Sequence, residues 1–222
     1  MNEARGFLIT IEGGEGAGKS TLVSALSERL ARAREGGGPG REVVVLREPG
    51  GTALGERLRA LLLGPSFGGP LIGPRAELFL FAAARAQLLD EVVRPALARS
   101  ALVLVDRFSD STVAYQQHGR GLSAQLVRCA VDGAVGPSQE GRPALTLVLD
   151  VPPEVGLGRL AGEEPDRIGG EDLEFHRRVR EGFLAIAAAE PDRCVLVDGT
   201  AAPDAVLDAA LLAVAKRLGL AV

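Results

Sequence analysis

The chain has 222 residues, of which 46% are hydrophobic, and a formal net charge of −4. This length and apolar fraction suit a globular protein with a sizeable core and exclude a disordered chain. The negative charge argues against broad binding to nucleic acid or to a membrane surface, so an anionic ligand must be held by locally placed cations.

No apolar run is long enough to span a bilayer, and we expect neither a signal peptide nor a membrane partner, but a cytoplasmic protein. Cys129 and Cys194 lie far apart in apolar settings, and we expect both to be reduced core residues. His118 and His176 lack metal-ligand partners at useful spacing, which argues against a zinc or iron site.

The first predicted elements are a strand, a glycine-rich loop and a helix. Residues 7–11 are an apolar run, and apolar residues recur at helical spacing from Leu22 onward. Between them lies G-x-x-x-x-G-K-S, whose glycines let backbone N–H groups surround an anion. The residues predicted to bind a nucleoside triphosphate are Gly13, Gly14, Glu15, Gly16, Ala17, Gly18, Lys19, Ser20 and Thr21.

Two side chains of this loop have distinct predicted tasks. Lys19 supplies a compact positive charge for the β- and γ-phosphates, and the Ser20 hydroxyl is placed to bind Mg²⁺. Lys19 and Lys216 are the only lysines beside 23 arginines, so a lysine stands where a compact ammonium fits best. The alternative is a glycine-rich turn that merely connects a strand to a helix.

The remaining elements alternate along the chain. Apolar runs predict strands over 42–46, 102–105, 145–151 and 194–197. Helical spacing predicts helices over 53–63, 75–99, 123–135, 153–160, 173–189 and 203–218, with a kink at Pro95. Glycine- and proline-rich connections are expected over 34–41 and 64–74, and a polar, turn-prone segment over 109–121.

This alternation predicts an α/β protein with three layers, in which helices cover both faces of a five-stranded parallel sheet, as in P-loop NTPases. We find no repeat or linker, so residues 1–222 are predicted to form one domain. The charged, glycine-containing stretch around 161–171 is typical of a mobile lid. Ligands are expected at the carboxyl ends of the strands.

The end of the third strand separates the classes of nucleotide enzyme. Asp106 supplies the carboxylate that a Mg²⁺ site of this kind needs, and Arg107 stands where hydrolysing ATPases commonly carry a second acid. An arginine suits a second phosphate rather than the activation of water, and the guanine motif N-K-x-D is absent. We therefore expect phosphoryl transfer to a bound acceptor, the alternative for Arg107 being a structural ion pair.

The chain resembles the thymidylate kinase family, of the bacterial kind, over nearly its whole length. The matching segments occur in the family's order. They are E-G-G-E-G-A-G-K-S-T at 12–21, R-E-P-G-G-T at 47–52, F-A-A-A-R at 81–85, D-R-F-S-D-S-T-V-A-Y-Q at 106–116, L-D-V-P-P-E-V-G-L at 149–157 and D-R-I at 166–168. The segments at 47–52 and 106–116 are far more specific than the glycine loop.

The resemblance implies an acceptor site for dTMP. Phe81 would stack on the thymine ring and Arg85, one helical turn later, would bind the base edge, whereas Phe79 is expected in the core. Arg107 would bind the monophosphate. The other implied substrate-binding residues are Arg47, Glu48 and Pro49 of the second motif, Ser111, Thr112 and Gln116 at the base, Tyr115 at the sugar, and Glu15 near the 3′-hydroxyl. Glu15 could equally well be a solvated carboxylate of the loop without a role in substrate binding.

The resemblance also implies ATP and Mg²⁺, a homodimer, and charge neutralisation by arginines. Lys19, Arg107, Arg159 and Arg167 are the predicted catalytic residues. The family pattern has several lid arginines when the glycine loop carries none, and this lid has only Arg159 and Arg167. Arg159 could equally be an ordinary exposed charge. The loop at 198–200 is the expected place for adenine contacts.

Two alternatives stay open at this stage. One is a related kinase for another pyrimidine nucleotide or a deoxynucleoside, because selecting a methyl group over hydrogen is worth only about 1–3 kcal/mol. The other is a P-loop switch ATPase that acts on a macromolecule. The net charge, the absence of a basic stripe and Arg107 after Asp106 argue against that switch.

Overall fold

The computed structural model describes residues 6–33, 41–64, 71–138 and 141–220. One five-stranded parallel sheet lies at its centre, in the order β2-β3-β1-β4-β5. The strands are β1 Phe7–Gly13, β2 Val43–Arg47, β3 Leu102–Asp106, β4 Leu145–Asp150 and β5 Cys194–Asp198. Each lies within two residues of its predicted bounds, and the α/β fold with helices on both faces is confirmed.

The helices alternate with the strands. They are α1 Lys19–Arg32, α2 Ala53–Leu62, α3 Pro74–Leu88, α4 Arg94–Ala98, α5 Ser109–Thr112, α6 Ala124–Val135, α7 Pro153–Arg159, α8 Leu173–Ala189 and α9 Pro203–Leu218, with π-helical segments at Leu89–Val93 and Val113–Gly119. Within the described ranges, no helix combines the length and apolarity needed to cross a membrane.

Apolar side chains bury both faces of the sheet. On one face Ile9 and Leu104 pack with Leu26 of α1 and Val214 of α9. On the other face, Val103 joins a cluster that includes the end of α3, and a third cluster packs α8 against the segment after β3. Because both faces are covered, the central strands are mainly apolar, and their buried Thr10 and Thr146 hydrogen-bond to each other. Charged groups gather where the strands end.

The predicted helix over 75–99 is divided into three parts. Pro95 has no N–H to donate to the preceding turn, and the wider π-helical turn Leu89–Val93 lies just before it. Phe79 of α3 is half exposed, so the expectation that it lies in the core was wrong. Cys129 is also exposed, whereas Cys194 is buried as expected.

The polar segment predicted over 109–121 is mostly helical, which corrects that expectation. Its polar residues Asp110, Ser111 and Thr112 are buried, and side chains elsewhere in the protein bind them. Tertiary hydrogen bonds thus outweigh the local preference of these residues for turns. The predicted connections at 34–41 and 64–74 lie largely outside the described residues.

The short helix α7 touches the glycine loop through a close contact between two glycines. A Cβ atom on Gly156 would lie 2.2 Å from the carbonyl oxygen of Glu15, and one on Gly16 would lie 2.0 Å from the carbonyl oxygen of Gly156. No side chain fits between the two backbones. This contact fixes the position of the loop relative to the residues that follow β4.

We therefore predict that Gly156→Ala lowers both the thermal stability and the affinity for ATP, because the loop or α7 must move to admit the methyl group. Gly158→Ala is the matched control on the same helix, since a Cβ there meets no atom of the described residues within 4 Å. It should be neutral or stabilise the helix by up to about 1 kcal/mol. Thermal denaturation and equilibrium ATP binding test both variants, and equal behaviour would contradict the proposed role of the contact.

Candidate active site

The phosphate-binding loop joins β1 to α1 and uses glycine where the backbone requires it. Gly13, Gly16 and Gly18 have φ values of 141°, 64° and 90°, which side chains disfavour. Gly18 is the N-cap of α1, and none of the described side chains caps this helix end. The N–H groups of the first helical turn therefore remain available to bind an anion.

Lys19 is the first residue of α1, and its side chain is almost fully buried. Its Nζ donates to the carbonyl oxygen of Gly14 at 2.7 Å. Burial, with repulsion from Arg107, lowers the pKa of Lys19 to about 8, although Glu15 and Asp106 oppose the shift. At neutral pH the ammonium is still charged, and a bound polyphosphate would compensate for the water that it has lost.

Ser20 and Asp106 lie together at the same end of the sheet. The Ser20 Oγ donates to Oδ2 of Asp106 at 2.9 Å. β1 and β3 are paired so that Ile11 lies beside Asp106, which brings the loop after β1 next to the end of β3. A hydroxyl and a carboxylate are oxygen ligands of the kind that Mg²⁺ prefers. The two residues predicted to hold a metal are thus brought into contact.

Arg107 follows β3 in a left-handed backbone conformation, with φ 67°. Its Nη1 donates to the carbonyl oxygen of Gly13 at 2.9 Å and its Nη2 donates to Oε1 of Glu15 at 2.8 Å. Its guanidinium also lies 5.0 Å from the centre of the Tyr115 ring. Arg107 therefore connects the phosphate-binding loop to the segment after β3.

Glu15 accepts two hydrogen bonds on a single oxygen. Besides Arg107, the Tyr115 hydroxyl donates to its Oε1 at 2.8 Å. Burial raises the pKa of Glu15, but the charges of Arg107 and Lys19 and the tyrosine bond outweigh it and hold the pKa at about 2. Glu15 is therefore an ionised, oriented carboxylate rather than a solvated one, and it lies beside the predicted sugar-binding residue.

The far end of the cleft contains an oriented arginine beside an aromatic ring. Arg85 is buried, and its Nε donates to Oε2 of Glu48 at 2.9 Å while its Nη1 donates to the Thr112 hydroxyl at 2.9 Å. Phe81, one turn earlier on α3, is half-buried and also lines the cleft. A flat apolar face and a fixed N–H donor suit a planar heterocycle.

Other predicted acceptor residues also line this cleft. Arg47 is half exposed and pairs with Glu56 at 3.3 Å, so it is less firmly placed than Arg107. Pro49 follows Glu48 through a cis peptide bond. The cleft has a volume of about 1240 Å³, and the predicted acceptor residues among its lining are Glu15, Arg47, Glu48, Pro49, Phe81, Arg85, Arg107, Ser111, Thr112, Tyr115 and Gln116.

Comparisons with known proteins agree with this geometry. Residues 11–210 match the family model for thymidylate kinase. The thymidylate kinase of Deinococcus radiodurans is 46% identical, covering 97% of this chain and 99% of its own length. The enzyme of Synechococcus sp. (strain JA-3-3Ab) is 51% identical over 89% of each chain. The chain belongs to the thymidylate kinase family.

A solved thymidylate kinase structure supports the same assignment for the fold. The crystal structure of the enzyme from Ehrlichia chaffeensis superposes with a TM-score of 0.68 at 33% identity, covering 87% of this chain and 93% of that one. The chain thus has the P-loop NTPase fold of the thymidylate kinases and is a kinase.

The two arginines of the predicted lid segment lie in different places in this member of the thymidylate kinase family. Arg159 lines the cleft and donates to the carbonyl oxygens of Gly16, at 3.2 Å, and Gly199, at 3.0 Å. Arg167 turns away, because the buried carboxylate of Glu77 attracts its Nη2 at 2.6 Å and its Nε donates to a backbone oxygen of α2. The expectation that Arg167 reaches the transferred phosphoryl group does not fit this arrangement.

Sequence reasoning missed a second layer of acids behind the site. Glu12 at the end of β1 is fully buried and accepts from the N–H of Phe108 at 2.8 Å and from the Ser111 hydroxyl at 2.5 Å. Burial and the nearby Asp110 raise its pKa to about 7. A glutamate directly before the glycine loop was the available signal, since a carboxylate inside an apolar strand needs a partner.

We predict that the contribution of Glu15 to the free energy of unfolding depends on pH. Its folded-state pKa of about 2 lies below the ordinary value of 4.5, so its stabilising contribution is present above about pH 4.5 and declines as the pH falls toward 2. We expect wild type to exceed Glu15→Gln in unfolding free energy by a few kcal/mol at pH 7, and the difference to shrink below pH 4.5. Urea denaturation from pH 3 to 7 measures it, and a difference that does not vary with pH would contradict the assignment.

We also predict that substitutions of Arg159 and Arg167 have different effects. Arg159→Ala should lower kcat/KM for ATP by about tenfold or more with little change in stability, because its guanidinium lies over the nucleotide end of the cleft. Arg167→Ala should instead lower the unfolding free energy by about 1–3 kcal/mol, because Glu77 loses a charged partner. Steady-state kinetics and thermal denaturation of both variants separate these effects. A loss of kcat at unchanged stability in Arg167→Ala would restore the catalytic role first expected for it.

Proposed function

We propose that this protein transfers the γ-phosphoryl group of ATP to dTMP, forming dTDP and ADP. The main support for this proposal is the position of Arg107. Arg107 lies between a phosphate-binding loop at one end of the cleft and a base-sized pocket with Phe81 and Arg85 at the other. A monophosphate held by Arg107 would face the triphosphate site across a short gap. Family membership supports the choice of nucleotide.

The acceptor is oriented by groups along its whole length. Phe81 stacks on the base, Arg85 donates to a carbonyl at the base edge, and Arg107 binds the phosphate. Glu15 and Tyr115 stand between them, where the deoxyribose would lie, and the ionised Glu15 accepts from the 3′-hydroxyl. The Tyr115 ring against the sugar leaves little room for a 2′-hydroxyl, which favours a deoxynucleotide.

No general base is required for the transfer. A phosphomonoester is largely dianionic near neutral pH, so an oxygen of dTMP can attack directly. A bond forms from that oxygen to the γ-phosphorus while the bond from the γ-phosphorus to the β,γ-bridging oxygen breaks, and ADP leaves with the electron pair. The negative charge on the phosphoryl group during transfer is neutralised by Lys19, Arg107 and Arg159, together with the N–H groups of the phosphate-binding loop.

Mg²⁺ is the proposed metal, and Ser20 and Asp106 are the residues that would hold it. Their contact at 2.9 Å presents two oxygen ligands beside the triphosphate end of the cleft. Mg²⁺ in kinases is usually held by one or two protein oxygens and the substrate phosphates, so a larger cluster of acids is not needed. When bound, it would neutralise charge on the β- and γ-phosphates.

The wider assignments rest on the family and on chemistry. We propose that residues 1–222 act as one cytoplasmic kinase domain with a lid around 161–171, and that its ligands are ATP and dTMP rather than nucleic acid or membrane. We also propose a homodimer formed through the long helices. Exposed Leu54 and Leu61 on α2 and Phe79 on α3 support that assembly, because a partner would cover them.

The decisive experiment measures ADP release with Mg-ATP, with and without a panel of nucleoside monophosphates. We expect dTMP to stimulate more strongly than any other common monophosphate. Arg107→Ala should lower kcat/KM for dTMP by at least about a hundredfold, and Phe81→Ala should weaken dTMP binding by about 1–3 kcal/mol. Arg128→Ala, an exposed arginine on α6, is the matched control and should leave activity unchanged.

Two outcomes would overturn the proposal. ATP turnover that does not depend on any acceptor would indicate a P-loop ATPase instead of a kinase. Stronger stimulation by a monophosphate other than dTMP would keep the reaction but change the acceptor, and it would locate the error in the base pocket rather than in the phosphate-binding loop.

A further inference from the structure

A buried carboxylate with several donors lies behind the base pocket. Glu77 of α3 is 1% exposed, and its Oε1 accepts from Nε2 of Gln116 at 2.8 Å and from Nε of Arg120 at 3.2 Å. Its Oε2 accepts from Nη2 of Arg120 at 3.1 Å and pairs with Nη2 of Arg167 at 2.6 Å. The cluster joins α3, the π-helical segment after β3 and the lid.

The arginines keep this carboxylate ionised. Burial raises the pKa of Glu77, but the hydrogen bonds from Arg120 and Gln116 outweigh that effect and hold the pKa below its ordinary value. An ionised carboxylate can only accept hydrogen bonds. The group of Gln116 that faces Glu77 must therefore be its NH₂, and this hydrogen-bond network fixes the orientation of the amide.

The opposite side of the Gln116 amide is an acceptor. Gln116 is 2% exposed and lines the cleft together with Phe81 and Arg85. Within the described ranges, no side chain or backbone N–H donates to its Oε1. Because Nε2 is bound to Glu77 and Gln116 lines the cleft, the carbonyl oxygen is the group of this amide that remains to accept from a ligand.

The direction of this acceptor distinguishes two kinds of pyrimidine. Thymine carries a donor at N3, whereas cytosine has an acceptor there. A carbonyl oxygen held toward N3 binds thymine and repels cytosine, but an amide free to turn over could present its NH₂ and bind cytosine equally well. We propose that Glu77 is a positioning residue for base selectivity, which holds the Gln116 amide so that only an N3–H base is matched. This inference rests on the proposed dTMP kinase function.

Glu77→Gln tests the proposal, because it keeps the shape of the side chain while removing the charge that fixes the amide. The ligands are dTMP and 5-methyl-dCMP, which share the methyl group, sugar and phosphate and differ only at N3 and C4. We expect the nucleotide ratio, defined as the dissociation constant of 5-methyl-dCMP divided by that of dTMP, to fall by about tenfold or more, because dTMP binds more weakly and 5-methyl-dCMP more tightly. Selectivity is not abolished, since Arg85 still binds the C4 substituent.

Kinetics should show the same effect in KM rather than in kcat, because the contact is made in the ground state as well as in the transition state. Glu171→Gln is the matched control. Glu171 pairs with Arg120 in the same cluster but does not touch Gln116, so the nucleotide ratio should stay at the wild-type value. A ratio that falls equally in Glu171→Gln would show a general loosening of the cluster and overturn the proposal.

Gln116→Met provides a test that does not depend on the folding of Glu77→Gln. The ratio should also fall in Gln116→Met, because the acceptor is removed, and an unchanged ratio would overturn the proposal. In the double variant, Glu77→Gln should add nothing to the effect of Gln116→Met, and a further fall by the same factor would show that Glu77 does not act through Gln116.

The activity of the wild-type protein on dTMP distinguishes failure of the proposed kinase function from failure of the proposed role of Glu77. Wild-type protein that fails to phosphorylate dTMP would contradict the proposed function. Wild-type activity on dTMP, combined with an unchanged nucleotide ratio in a folded Glu77→Gln, would contradict only the role of Glu77.

Discussion

The ion pair between Glu15 and Arg107, at 2.8 Å, is the contact on which the geometry of the site depends. Glu15 belongs to the loop after β1 and Arg107 to the segment after β3, so the pair fixes the phosphate-binding loop against the predicted acceptor residues. Both side chains are mostly shielded from solvent, where an attractive charge pair is stronger than in water. Tyr115 donates to the same carboxylate oxygen and extends the connection toward the cleft.

A second carboxylate supports this pair from inside the protein. Arg107 has a left-handed backbone, which costs energy for a residue with a side chain and persists only where neighbouring groups enforce it. Glu12 accepts from the N–H of Phe108 and from Ser111, which fixes the chain directly after Arg107. The buried acid therefore holds the segment that presents the guanidinium.

The fold and the chemistry of the phosphate-binding loop could be predicted from the amino-acid sequence. The hydrogen-bond and ion-pair partners that lie far apart along the chain could not. The strands were predicted well because a buried parallel sheet requires continuous apolar runs, and the loop because its glycines and Lys19 have few other uses together. The helix over Ser109–Thr112 was missed because Glu12 and Arg193 satisfy its polar side chains from distant positions. Arg167 was assigned to the phosphates because sequence spacing does not reveal that a buried glutamate lies nearer.

The choice of cation follows from these partners. Arg85, Arg107 and Arg120 each donate to two or more acceptors at fixed angles, which a planar guanidinium does well and an ammonium does poorly. A guanidinium also stays protonated when buried, whereas burial lowers the pKa of Lys19 to about 8. Arginines therefore hold the permanent framework that orients carboxylates and amides. The single lysine of the loop stands where a mobile polyphosphate needs a compact charge that can adjust to it.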